Sequence, residues 1–216
     1  MSEKIINRDY DLMMKYCQAN SEPTNELMHE LERTTYLKTL APQMISGAVQ
    51  GQLLTLFCQT SNAKTVLEVG TFTGYATICL AKGIHPEGKV HTIEINKELG
   101  YISKDFFERS GLSDRIVQHW GDAKKIIPTI DEPLDIVFLD GAKVDYPVIF
   151  EMLMDKIKPG GLLIVDNVLW SGKVAFGATD KGTKMIDQFN KKVNDDPRVT
   201  SLILPMRDGL MVARKV

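Results

Sequence analysis

The chain has 216 residues, 44% of them hydrophobic and 25% charged, with a formal net charge of −2, which suits one α/β domain with its own core. That balance excludes a global electrostatic footprint for nucleic acid, though not a local basic patch. No apolar run reaches the ~18 residues that a membrane-spanning helix needs.

The first residues, MSEKIINRDYDLMMK, mix acids with bases and lack an apolar signal core, so the expected location is cytoplasmic. Before Lys64 the pattern is helical. NRDYDLMMKYCQAN (7–20) and TNELMHELERTTYLKTL (24–40) carry recurring apolar positions among mixed charges, and Pro23 falls in the break between them. SGAVQGQLLTLFCQT (46–60) predicts a third helix with Ser46 as its cap. These segments form a helical cap over 1–62, a lid or a dimer surface, on a core over 63–216 of the same domain.

From Lys64 short apolar runs alternate with helical stretches. The runs are KTVLEVG (64–70), KVHTIEI (89–95), RIVQHW (115–120), LDIVFLD (134–140), GLLIVDN (161–167), VTSLILPM (199–206) and GLMVARKV (209–216). This alternation predicts a parallel sheet with helices on both faces. KPGG (158–161) should end a helix and begin the fifth strand, because Pro cannot continue a helix and Gly tolerates positive φ. A helix over 183–196 precedes the last two runs, which a tight Asp-Gly turn joins without a helix between them. The last strand should therefore run antiparallel. Cys17, Cys58 and Cys79 sit in helical patterns with no CxxC spacing and read as reduced core thiols.

The first strand leads into VLEVGTFTGYAT (66–77), a strand, a glycine-bearing turn and a helix start. Gly70 and Gly74 let backbone approach a ligand, and the helix N-terminus offers free N–H groups. A dinucleotide site would want GxGxxG. This turn is GxxxG, with bulky Phe72 inside it and Glu68 just before it. An acid there repels a pyrophosphate and welcomes an ammonium, which fits S-adenosylmethionine. Glu94 ends the second strand, where a carboxylate can accept both ribose hydroxyls. Asp122 follows the third, where it could accept from an adenine amino group. Taken singly, Glu94 is more often a solvated strand end and Asp122 more often a helix cap. Together the three acids fall at successive strand ends, where open α/β sheets bind ligands.

The fourth and fifth strands end in Asp140 and in Asp166–Asn167. If these strands are neighbours, two carboxylates and an amide gather at one rim, an oxygen-only set suited to Mg²⁺, with Mn²⁺ or Ca²⁺ not distinguished. The plain alternative makes Asp140 a helix cap and Asp166–Asn167 a loop start. Lys143 lies in the loop over that rim, either a surface lysine or a general base. Trp170 either walls an aromatic substrate or packs in the core.

Those motifs, in that order, resemble the cation-dependent O-methyltransferases, the group of caffeoyl-CoA and catechol O-methyltransferases. The likeness runs from APQMISGAVQGQLL (41–54) through LEVGTFTGYAT, TIEINKEL and GDA to FLDGAKVDY, DNVLWSGKV and LPMRDGLMVARK, and is nearest to the bacterial caffeoyl-CoA-type branch. It implies the Rossmann-like class I methyltransferase fold, a seven-stranded, mostly parallel sheet with an antiparallel last strand. It implies S-adenosylmethionine held by residues matching Met44, Ser46, Glu68, Gly70, Tyr75, Glu94, Asp122, Ala123 and Asp140. It also implies metal ligands at Asp140, Asp166 and Asn167, catalysis by Lys143 with Asp140, substrate contacts from Lys143, Asn167 and Trp170, and a homodimer. Ala76 stands where many relatives have Ser, and Gly141–Ala142 where many have Ala-Asp, so cofactor and substrate contacts there are not carried over. The expected reaction methylates one hydroxyl of a vicinal aromatic diol. The alternatives are a transfer RNA hydroxyuridine as acceptor, or a ligand-binding protein without catalysis.

Overall fold

The computed structural model describes residues 3–216. The N-terminal third is helical as expected: α1 (Glu3–Ala19), α2 (Glu26–Lys38) and α3 (Gly47–Ser61). Asn25 starts α2 by accepting the Met28 N–H at 3.0 Å, a bond that satisfies one otherwise orphaned helix donor. Ser46 does not cap α3. Its own backbone is already helical at φ −63°, ψ −36°, and its side chain makes no capping bond.

The seven apolar runs form β1 (Thr65–Val69), β2 (Lys89–Glu94), β3 (Ile116–Trp120), β4 (Leu134–Leu139), β5 (Ile157–Asp166), β6 (Val199–Leu204) and β7 (Leu210–Lys215). They pair in the order β3-β2-β1-β4-β5-β7-β6. The first five strands are parallel, and β7 is antiparallel to both of its neighbours. Between the strands lie α4 (Tyr75–Gly83), α5 (Gly100–Arg109), the short α6 (Ala123–Ile126), α7 (Tyr146–Met154) and α8 (Lys181–Asp195). Among the described residues no helix is long and apolar enough to cross a membrane.

Strand alternation sends side chains to two cores. Leu67 and Val69 of β1 pack with Phe150 and Phe189 of α7 and α8. Val66 packs with Leu54 of α3 and Leu80 of α4 on the other face. A third cluster joins Leu31 of α2, Ile78 of α4 and Phe106 of α5. At ~25 cal/mol per Å² of apolar surface removed from water, these layers supply most of the driving force for folding.

Three further local expectations change. KPGG lies inside β5, not before it: the pairing with β4 jumps from Leu134↔Ile157 to Ile136↔Leu162. The extra residues bulge out, with Gly160 at φ +83° in a conformation that favours glycine. The β6–β7 connection is a five-residue loop (205–209), not a tight Asp-Gly turn, since Leu204 pairs with Leu210. Arg207 adopts φ 52° and Gly209 N–H closes the turn onto the Met206 carbonyl at 2.9 Å. Of the cysteines, Cys58 is buried and Cys79 partly so, but Cys17 is exposed on α1 and is no core thiol.

The chain order reverses between β1 and β4, which lie side by side while β2 and β3 continue the other way. Ligands of open α/β sheets bind outside the strand C-termini at such a point.

Candidate active site

A cavity of about 1400 Å³ opens over the C-terminal ends of β1, β2, β4 and β5. Its floor begins at Gly70, which has φ +104°, and a Cβ there would run into the Asp140 carbonyl. Only glycine lets the exit of β1 cross so close to the end of β4. The turn continues through Phe72, left-handed at φ 50°, whose N–H donates to Glu94 Oε2 at 2.8 Å. Asn96 N–H donates to Glu94 Oε1 at 2.8 Å. The Glu94 carboxylate is thus fixed by two backbone donors while lone pairs on both oxygens remain for a ligand.

Asp122 is both a helix cap and a cavity wall, so the two sequence readings are compatible. Its side chain accepts the Lys124 N–H at 2.9 Å, and Ala123 beside it also lines the cavity. That backbone bond, with the Lys124 ammonium 3.4 Å away, holds the Asp122 carboxyl below the ordinary carboxylate range. Lys124 also reaches Asp145 at 2.7 Å, tying α6 to the loop after β4. Met44, on the turn between α2 and α3, forms part of the opposite wall.

The ends of β4 and β5 bring Asp140, Lys143, Asp166 and Asn167 to one corner of the same cavity. Lys143 Nζ donates to Asp140 Oδ1 at 2.9 Å. Burial pushes Asp140 up to about 6: with the Asp166 charge beside it, burial outweighs the lowering by Lys143 and Arg207. Asp166 is 4% exposed. Its Oδ1 accepts the Asn167 N–H at 2.8 Å and its Oδ2 accepts Gln50 Nε2 at 2.9 Å. Asn167 is left-handed at φ 60°, and its Nδ2 donates to Asp208 Oδ2 at 3.4 Å. That leaves Asn167 Oδ1 and Asp140 Oδ2 without a hydrogen-bond donor among the described residues. No three His, Cys, Asp or Glu side chains converge among the described residues. The corner consists instead of two carboxylates and an amide oxygen, all hard donors, with excess negative charge. That donor chemistry fits a hard divalent cation.

Four residues expected at the site do not line the cavity. Glu68 points from β1 toward α4, fully buried. Thr92 donates to its Oε2 at 2.5 Å, Thr77 donates to the same oxygen, and Oε1 has no partner. Burial pushes Glu68 up to about 8, so near pH 7 it is mostly neutral and gives the cavity little charge. Tyr75 is buried beside Gly51 of α3, in the cluster that also holds residues of α2 and α5. Ser46 contributes only its carbonyl, which accepts from Arg207. Trp170 packs against the α7–α8 core, and the aromatic residues on the cavity are Tyr10, Phe72 and Phe176, the last 78% exposed.

Sequence reasoning also missed supporting residues. Tyr146 is fully buried, and its hydroxyl donates to the Asp166 carbonyl at 3.1 Å, fastening the tip of β5. Asp208, taken only as a turn residue, accepts the Ser171 N–H and the Asn167 amide. No local signal marked Gln50, since its partner lies far along the chain.

A family model described as O-methyltransferase matches residues 18–216. Caffeoyl-CoA O-methyltransferase from Petroselinum crispum is 31% identical over 207 residues, covering 88% of this chain and 84% of the relative. The O-methyltransferase of Bacillus cereus, solved in complex with SAH, is 29% identical with a TM-score of 0.87, covering 94% of this chain and 96% of that one. TomG from Streptomyces achromogenes, involved in tomaymycin synthesis and solved with SAM, is 27% identical with a TM-score of 0.89, covering 100% of both chains.

Proposed function

This chain belongs to the O-methyltransferase family, and from that premise we propose that it methylates one hydroxyl of a vicinal aromatic diol with the help of a divalent cation. The methyl donor is S-adenosylmethionine, the cosubstrate of this enzyme class. The observation that carries the finer reading is the shared corner of Asp140, Asp166, Asn167 and Lys143, in one cavity with the Gly70 turn and Glu94.

The division of labour follows from the geometry. Glu94, locked by the Phe72 and Asn96 N–H groups, accepts the ribose hydroxyls. Asp122 and Ala123 border the adenine, and Met44 covers the donor from the α2–α3 side. The Gly70 turn lets the methionine end lie close to backbone, with Asp140 as the acid nearest its ammonium. Asp140, Asp166 and Asn167 supply the oxygens for the cation, with Mg²⁺ favoured by an all-oxygen set. When bound, such a cation acts as a Lewis acid that lowers the pKa of a hydroxyl reaching it. Lys143 takes the proton of the reacting hydroxyl, and Asp140 holds the Lys143 amine in place at 2.9 Å. Leu40 and Phe176, exposed apolar side chains on the cavity wall, flank the ring of the acceptor and shield the reaction from water. Most of the rate gain would come from alignment, which can supply roughly 7–11 kcal/mol. The same reading makes the protein a cytoplasmic homodimer acting on a small molecule.

The test is transfer of labelled methyl to catechol and to a caffeoyl thioester, with and without chelator. Activity that vanishes with chelator, returns with Mg²⁺ and is absent in Asp166→Ala supports the reading. Undiminished transfer in chelator would sink the metal-dependent mechanism.

A further inference from the structure

Resting on the metal-dependent reading, we infer that Gln50 is a positioning residue for Asp166 and that Arg207 sets which way its amide faces. Gln50 is 1% exposed on α3, far in sequence from both partners. Its Nε2 donates to Asp166 Oδ2 at 2.9 Å, and its Oε1 accepts from Arg207 Nη1 at 3.2 Å. A guanidinium only donates and a carboxylate only accepts. A neutral amide between them therefore has a single orientation that satisfies both.

Arg207 is itself immobilised. Its Nη1 also donates to the Ser46 carbonyl, its Nη2 donates to the Gln43 carbonyl at 3.2 Å, and its backbone N–H donates to the Tyr10 hydroxyl. None of these acceptors is a carboxylate. The left-handed backbone at Arg207, φ 52°, places the guanidinium over the start of α3. The anchor of Gln50 is thus the β6–β7 loop.

The consequence falls on Asp166. With Oδ1 on the Asn167 N–H and Oδ2 on Gln50, the carboxylate cannot rotate about its Cβ–Cγ bond without losing both bonds. Each oxygen keeps a lone pair. Because Gln50 is neutral, it orients Asp166 without cancelling its charge; a lysine there would neutralise the ligand that a cation needs. Outer partners of this kind orient metal ligands, and their loss typically costs roughly 10–100-fold in affinity.

The test reads metal binding, not turnover. Free Mn²⁺ is titrated by electron paramagnetic resonance against the full chain, with binding of S-adenosylhomocysteine in the absence of metal as the control for folding. Gln50→Leu should weaken Mn²⁺ binding roughly 10-fold or more while S-adenosylhomocysteine affinity stays within about twofold. Arg207→Lys keeps the charge and loses the fork, so it should weaken Mn²⁺ too. The double variant should bind no worse than Gln50→Leu alone, because the two act through one contact. Should Gln50→Leu not fold, Gln50→Asn, too short to bridge both partners, replaces it. If Asp166→Ala loses Mn²⁺ but the Gln50 variant matches wild type, the role of Gln50 is refuted and the metal reading stands. If wild type binds no Mn²⁺, or Asp166→Ala binds it normally, both fall.

Discussion

Lys143 Nζ sits 2.9 Å from Asp140 Oδ1, three residues apart on the turn that leaves β4. Both side chains are about one-fifth exposed, 17% and 19%, so the pair is screened from water but open to the cavity. An amine held this way is aimed at the space where the acceptor hydroxyl must lie. Replacing Lys143 by Ala should cut turnover about 10²–10⁴-fold, the usual worth of a positioned base. Binding of S-adenosylhomocysteine should change little, since Glu94 and Asp122 are untouched. Single-turnover transfer and calorimetric titration measure the two separately; equal losses in both would show that Lys143 shapes the cavity instead of moving a proton.

Glu68 offers a pH test. Its folded pKa is raised to about 8, chiefly by burial, with the Thr77 and Thr92 hydroxyls pulling it down. The folded state therefore holds a proton that the unfolded chain releases near the ordinary glutamate value of ~4.3. The stability tied to that proton is complete below ~4.3 and is lost as pH rises through about 8. Glu68→Gln, which mimics the neutral acid, should flatten this decline. The variant should gain roughly 1 kcal/mol or more over wild type between pH 5 and pH 9, read from urea unfolding at each pH. A constant difference across that range would mean that Glu68 is ionised in the fold.

How much of this was legible in the residues differs from place to place. The β-α alternation, the reversed last strand and the gathering of Asp140, Asp166 and Asn167 follow from period and strand order, because a parallel sheet puts every strand end on one rim. Gly70 was legible as a close approach, though not that its neighbour would be the Asp140 carbonyl. Glu68 misled because a strand alternates: one residue before Val69 faces the helices and not the ligand space. Trp170 was open between a substrate wall and a core position; with Trp170 and Ser171 at φ 51° and 56°, the indole packs on the core and Phe176 is left on the cavity. Gln50, Tyr146 and Arg207 were invisible because their partners are set by tertiary packing, which no local pattern encodes.

A second pH dependence comes from His91 and His119 on β2 and β3. Their rings stack 5.3 Å apart, and His91 Nδ1 lies 3.0 Å from His119 Nε2. One nitrogen must donate and the other accept, so the contact needs one ring neutral at the accepting nitrogen. Burial lowers the pKa of both, and for His91 the neighbouring His119 adds to it. The unfolded chain then binds more protons than the fold below the ordinary histidine value of ~6.5. Stability should be complete above that value and fall as pH drops, by up to about 1.4 kcal/mol per pH unit for each proton. His119→Gln should reduce the slope between pH 7 and pH 5; an unchanged slope would assign the acid sensitivity to other groups.

Gly70→Ala tests the point where fold and site meet. At φ +104° an L-residue is strained, by about 1–3 kcal/mol in such regions. The new Cβ would also press on the Asp140 carbonyl, which is backbone and cannot swing aside. Relief requires β1 and β4 to part at their tips, where Asp140 N–H donates to the Val69 carbonyl at 2.8 Å. Opening that bond would move Asp140 away from Asp166, since both side chains depend on the spacing of neighbouring strands. The variant should therefore lose at least ~2 kcal/mol in denaturant unfolding. Its loss of S-adenosylhomocysteine affinity should exceed that of Lys143→Ala. An alanine tolerated at full stability would mean that the turn relaxes away from β4, and that the tight crossing is not what fixes the cavity floor.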